Sequence, residues 1–158
     1  MLLMGILMGC SSSDLCMQEM KVRLKVEFKE MQYDTSSEQY KEQTKDVNVI
    51  VNGDGIDSLL YDSVSVSTME LPLRINDTVS VFVVRQLYAS VNDTSYFTDT
   101  LWVQHENSLE FVSMECGSVV VNKIKDVQWT LNRIDSVIVI DGNVIRGGKS
   151  NMKIFVRK

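Results

Sequence analysis

Val22-Arg23-Leu24-Lys25-Val26-Glu27-Phe28 alternates apolar and charged side chains without a break. Successive side chains of an extended strand point to opposite faces, so this stretch predicts a strand with one face buried and one in water. A helix would need its apolar residues three and four apart, and no part of the chain carries such a stripe convincingly. The alternation returns at Val47, Val49 and Val51, ending on Asn52-Gly53-Asp54-Gly55, a strong turn signal.

Further strands are predicted outward from these two. Ile56 to Tyr61 and Val64 to Thr68 are short candidates, bounded by Leu71-Pro72-Leu73, where Pro72 suits an edge or a strand start. Thr78 to Arg85 is rich in valine, and a turn follows at Asn92-Asp93. Phe97 to His105 alternates around Trp102, and Leu109 to Met114 runs into Cys116-Gly117. Val119 to Ile124, Val127 to Leu131, Ile134 to Ile140 and Met152 to Val156 complete the series, with Asp141-Gly142-Asn143 as a hairpin turn. Lys29 to Asp46 has no core pattern and reads as a mobile loop or a strand extension; a short helix over Glu38 to Thr44 would lack an apolar stripe. Many short strands separated by turns predict an all-β domain. An antiparallel two-sheet β-sandwich is expected, with an eight-stranded β-barrel as the alternative. Trp102, Trp129, Phe82 and Phe111 are the core candidates.

The N-terminus has a different character. Leu7-Met8-Gly9-Cys10, followed by Ser11-Ser12-Ser13-Asp14, resembles a bacterial lipobox, in which the signal is cut before a cysteine that then carries lipid. That resemblance implies residues 1–9 as a lipoprotein signal peptide, truncated at its start because no Lys or Arg precedes the apolar run. It makes Cys10 the lipidated residue, 10–20 a tether, and 21–158 a single β-sandwich domain. An apolar run of this length cannot cross a bilayer, which takes about 20 residues, so a lipid is the membrane attachment expected. With Cys10 acylated, Cys16 and Cys116 remain as an even pair. An oxidising periplasm or cell surface favours their disulfide over two free buried thiols.

Composition narrows the function classes. The chain has 158 residues, 44% of them hydrophobic, which suits one globular domain with a sizeable core. Its net charge of −5 is spread without a basic stripe, so no nucleic-acid partner is expected.

Several motifs recur to a family. Cys10 and Cys16 before the first alternating strand, the Gly53-to-Tyr61 segment, Leu71-Pro72-Leu73, Glu115-Cys116-Gly117 and Asn151-Met152-Lys153-Ile154-Phe155 together resemble a family of uncharacterised Bacteroidetes lipoproteins, a domain of unknown function. The resemblance implies a location, an outer-membrane lipoprotein facing the periplasm or the cell surface, and a fold type. It brings no activity and no catalytic residue. The missing basic start of the signal is a departure from the pattern.

Chemistry-bearing constellations are sparse. His105 is the only histidine, with no nucleophile elbow and no metal-ligand spacing around it, so a solvated or hydrogen-bonded histidine is the expectation. Asn52-Gly53-Asp54-Gly55-Ile56-Asp57 is faintly like a calcium loop but lacks its closing glutamate, and reads as a glycine-rich turn. No cofactor and no metal are expected. The pattern Asp, then Ser or Thr, then an aliphatic residue recurs, with Ser58, Ser63, Thr78, Thr100 and Ser136 as its hydroxyls. It looks like the O-glycosylation acceptor of exported Bacteroidetes proteins. Asp at a turn followed by a strand-forming residue accounts for it equally, and both readings put these sites at strand starts. The function expected is a lipid-anchored binding or structural module of the cell envelope, not an enzyme, with the membrane and an envelope protein or glycan as partners. An envelope glycan hydrolase using paired carboxylates is the alternative.

Overall fold

The computed structural model describes Cys16, Met17, residues 20–90 and residues 93–157. The signal segment and Cys10 lie outside the described residues, as does Asn92 of the turn expected beside Asp93. Eleven strands follow in order: β1 (Leu24–Asp34), β2 (Gln39–Thr44), β3 (Val47–Gly53), β4 (Leu59–Val66), β5 (Thr68–Leu71), β6 (Val79–Ser90), β7 (Asp93–Ser113), β8 (Gly117–Trp129), β9 (Ile134–Val139), β10 (Asn143–Val144) and β11 (Met152–Val156). They form two separate sheets, β2-β1-β11-β9 with β5 also on β1, and β10-β8-β7-β6-β3-β4. The fold is therefore the two-sheet sandwich, and the sheets do not close into a barrel.

One pairing departs from the antiparallel expectation. β1 runs parallel to β11, from Val26 opposite Met152 to Lys29 opposite Phe155. A parallel pair needs a long crossover, and here nearly the whole domain supplies it. Because Val26 and Glu27 also pair β5, and Lys29 also pairs β2, those two short strands share the other edge of β1.

The core takes in the alternating apolar residues read from the sequence in β1 and β3, and adds others. Leu24, Val26 and Phe28 of β1 face Val47, Val49 and Val51 of β3, Phe82 and Val84 of β6, and Leu101 and Val103 of β7 across one cluster. Ile134, Val144, Met152, Ile154 and Val156 close it from the C-terminal strands. Of the four aromatic core candidates only Phe82 is buried. Trp129 is half-buried and packs against the cluster, while Trp102, at an even position of β7, falls on the opposite face from Leu101 and Val103. Phe111 is 62% exposed, because β7 has by then run past the end of β6, whose first residue Val79 pairs Gln104.

The polar stretch from Lys29 is the strand extension rather than the loop. β1 continues to Asp34 and folds back as β2, with Tyr33 opposite Tyr40. β2 is exposed along its whole length, so no apolar alternation marks it. The ladder is reinforced by ion pairs of Lys41 with Asp34 and of Lys45 with Glu30.

β7 sets the long axis. It pairs β6 from Asp93 to Gln104 and β8 from Leu101 to Ser113. Two hairpins thus project in opposite directions from a shared middle, giving the molecule a β6–β7 end and a β7–β8 end. Each pair of strands read as separate in the sequence, Phe97 to His105 with Leu109 to Met114, and Val119 to Ile124 with Val127 to Leu131, is one long strand, β7 and β8 respectively.

Candidate functional site

A cleft of about 180 Å³ opens at the β6–β7 end, lined among others by Lys45, Asp46, Asn48, Gln86, Tyr88 and Arg133. Gln86 points to the inner face of β6, in line with buried Phe82 and Val84, and is 3% exposed. Its side-chain nitrogen has no hydrogen-bond partner, nor has the side-chain oxygen of Asn48. A buried amide left unpaired costs free energy, and such groups mark places where a further partner fits. Arg157, at the end of β11, completes the cationic side of the cleft and pairs with Asp135 at 3.3 Å.

Tyr88 supplies an aromatic side chain to the lining. Tyr88 and Phe97 meet edge to face with centroids 6.4 Å apart. The Arg133 guanidinium lies 4.9 Å from the Tyr88 centroid and 5.6 Å from that of Phe97, within cation–π range. Tyr88 and Phe97 remain exposed, as does Tyr96. Since Val26 pairs Met152, the continuation of β1 past Lys29 runs alongside Val156, whose own side lines the cleft. The β1–β2 hairpin with its Tyr33–Tyr40 pair, centroids 5.2 Å apart, therefore projects from the same end.

What holds Arg133 in place is a buried carboxylate. Asp99 is fully buried and accepts hydrogen bonds from Thr130 Oγ1 at 2.7 Å and from the backbone N–H groups of Asn132, Arg133 and Ile134 at 2.9, 2.8 and 3.0 Å. Those donors belong to the turn between β8 and β9, which a strand carboxylate thus caps.

His105 is hydrogen-bonded, and also buried. Its Nδ1 lies 2.7 Å from Asn107 Oδ1 and its Nε2 2.8 Å from Ser80 Oγ. The Asn107 amide nitrogen donates to the carbonyls of Arg74, Ile75 and Asp77, and Asn107 Oδ1 also accepts from Asn122. Ser80 Oγ accepts from the Arg74 backbone N–H. The order Ser80, His105, Asn107 has the connectivity of a nucleophilic triad. However, Ser80 is 1% exposed and His105 2%, and Ser80 and Asn107 bond onward to the backbone of the 72–78 loop. The network pins that loop across the end of the core.

The remaining sequence candidates are dispersed. Cys16 is bonded to Cys116 with Cα atoms 5.3 Å apart, the pairing expected from the cysteine count. Ser58 and Thr78 precede β4 and β6 and are exposed. Ser63 is exposed in a bulge of β4 with φ of 50°, not at a strand start. Thr100 lies in the middle of β7, half-buried and not at a strand start, next to the Asp99 that serves the cap just described; Ser136 is half-buried in β9 opposite Phe155. Asn52 spends its amide on the carbonyls of Gly53 and Ile56, which makes that stretch a turn. Among the described residues no cluster of His, Cys, Asp or Glu is arranged to hold a metal, and no helix is long and apolar enough to cross a membrane. The cleft itself was missed by sequence reading.

Among the described residues three carboxylates depart from ordinary acidity, all downward. Lys29 beside Glu27 lowers its pKa, Lys41 and then Ser36 hold Asp34 well below the usual range, and Lys125 lowers Glu106. A general acid needs the opposite shift.

A family model described as a family of unknown function, DUF6452, matches residues 48–156. Neither the curated proteins nor the solved structures contain a match.

Proposed function

We propose that this chain, which belongs to the DUF6452 family of unknown function, is a lipid-anchored binding module of the cell envelope. The Cys10 lipid holds it at the outer membrane, facing the periplasm or the cell surface, and the β6–β7 end recognises an envelope glycan or protein. The observation that carries the binding role is the cleft beside Tyr88 and Arg133, where the buried Gln86 amide lacks a partner. Aromatic faces flanked by cations and amides suit a sugar ring or an extended peptide, and exposed aromatics with Arg are the usual energetic centres of recognition surfaces. Ser58, Ser63 and Thr78 are exposed enough to carry O-linked glycans, which intact-mass measurement of exported protein reads directly.

Titration of the purified full chain against isolated envelope polysaccharides and envelope proteins tests the reading. Binding should occur without turnover, and Arg133→Ala or Gln86→Ala should weaken it about tenfold, the loss of one buried or charge-assisted hydrogen bond. Substrate turnover abolished by replacing a single Asp or Glu in a folded protein would instead establish the hydrolase.

A further inference from the structure

The β7–β8 end differs in chemistry from the cleft end. Leu109 is 75% exposed, Phe111 62% and Met114 92%. Leu109 and Phe111 stand two apart on β7 and share a face, with Val120 opposite Leu109 and Ser118 opposite Phe111. Ile75, 61% exposed on the loop pinned by Asn107, lines one shallow depression with Leu109 and Val120. Residues 111–118 carry a single charge, Glu115. Apolar side chains gathered this way on an otherwise charged surface mark a contact rather than chance exposure.

The disulfide places Cys16 at this tip. Cys116 lies in the β7–β8 turn and holds Cys16, whose neighbour Met17 is 70% exposed. Cys10 is six positions before Cys16, a covalent reach of at most about 22 Å. A lipid on Cys10 therefore keeps the tip within that distance of the bilayer, while the cleft lies at the far end of β7.

We infer that the β7–β8 tip is a second membrane contact, its Leu109, Phe111 and Met114 side chains lying in the interface of the bilayer that holds the lipid. The inference rests on the lipid-anchor reading. One acyl attachment combined with a second apolar contact gives firmer and more oriented binding than a tether alone. The low charge of the tip makes the contact apolar, so it is insensitive to salt. The bound molecule stands with its aromatic cleft directed away from the membrane.

Mature protein purified from membranes and reconstituted in phosphatidylethanolamine–phosphatidylglycerol vesicles, carrying a lipid with a photoactivatable acyl chain, tests this. Intact mass reads the acyl group on Cys10 and cross-linked peptides read the contact. The expected result is an acylated Cys10 with cross-links concentrated on residues 109–114, unchanged in high salt, and almost none on the Tyr88 and Phe97 peptides. Leu109→Ser, Phe111→Ser and Met114→Ser together should cut the tip cross-links at least about tenfold while the acyl group and the Cys16–Cys116 disulfide persist. An acylated protein whose cross-links are absent or scattered over both ends overturns the tip contact and leaves the anchor standing. A Cys10 without lipid overturns both. An acylated protein that sediments as a dimer, loses the dimer on the triple serine replacement and takes no lipid cross-link at residues 109–114 assigns the face to self-association and overturns the proposal.

Discussion

Two buried polar side chains tie separate elements of this sandwich together. Asp99 collects three backbone N–H groups and one hydroxyl from the β8–β9 turn. Asn151, 2% exposed, joins three elements: its oxygen accepts from the Lys25 N–H and its amide donates to the carbonyls of Asp141 and Asn143. Removing either leaves several buried backbone groups without partners. Asp99→Ala should therefore destabilise the domain by about 3 kcal/mol or more in urea denaturation. Asp99→Asn keeps one acceptor oxygen and should lose less. The consequence reaches function, because the capped turn carries Arg133 over Tyr88 and Phe97. Asp99→Asn is thus expected to weaken ligand binding even where the protein stays folded. Neither role was legible in the sequence. Asp99 sits in an Asp-Thr-Leu motif that repeats elsewhere with exposed acids, and only the fold distinguishes this copy from the others.

At the scale of elements, strands with one buried face announced themselves and strands with none did not. β1 as far as Phe28, and β3, read correctly because burial on one side enforces a period of two. β2 is exposed throughout, so its existence depends on ladder bonds and ion pairs that leave no apolar signature. Phe111 failed as a core residue for a related reason: alternation along β7 continues after the second layer has ended, and periodicity carries no information about where a sheet loses its cover. The β1–β2 hairpin offers a pH test. Asp34 is lowered by hydrogen bonds from Lys41 and Ser36, so its ionised form is favoured in the folded hairpin. A lowered carboxylate contributes stability above its unfolded value of 3.8 and loses it as pH falls toward the folded value. The Tyr33–Tyr40 ring contact, followed by NMR, should stay constant from neutral pH to about 4 and loosen below that, while the Tyr88–Phe97 contact is less affected. Asp34→Asn should remove the transition. At the opposite hairpin, Gly117 has φ of 76° with open space where a side chain would go. Gly117→Ala should cost about 1 kcal/mol from backbone conformation alone, read as a shift in the urea midpoint.

The whole molecule has two chemically unlike ends along β7, and the Cys16–Cys116 disulfide decides which end meets the tether. The core does not need that bond: its clustered side chains run from Leu24 to Val156, and Cys16 lies outside them. The bond acts instead on the unfolded chain, where joining cysteines 100 positions apart removes loop freedom worth about 4.7 kcal/mol in the chain-entropy model. Replacing both cysteines by serine should thus lower the urea midpoint substantially while leaving the native sheet spectrum and the Tyr88–Arg133 cleft unchanged. Ligand affinity at the cleft should be preserved, since no residue lining it touches the disulfide. Orientation should not be preserved. With the bond absent, the described chain first meets the core at Val22, just ahead of β1, and the tether gains the length from Cys16 to that residue. The tip is then no longer confined near the anchor, so its lipid contact should fall and the cleft should approach the membrane more often. Measured on vesicle-bound protein, lipid cross-linking should decline at residues 109–114 and spread over the surface, with binding in solution unaltered. Unchanged tip cross-linking in the double-serine protein would mean that the apolar side chains suffice and the disulfide contributes stability alone.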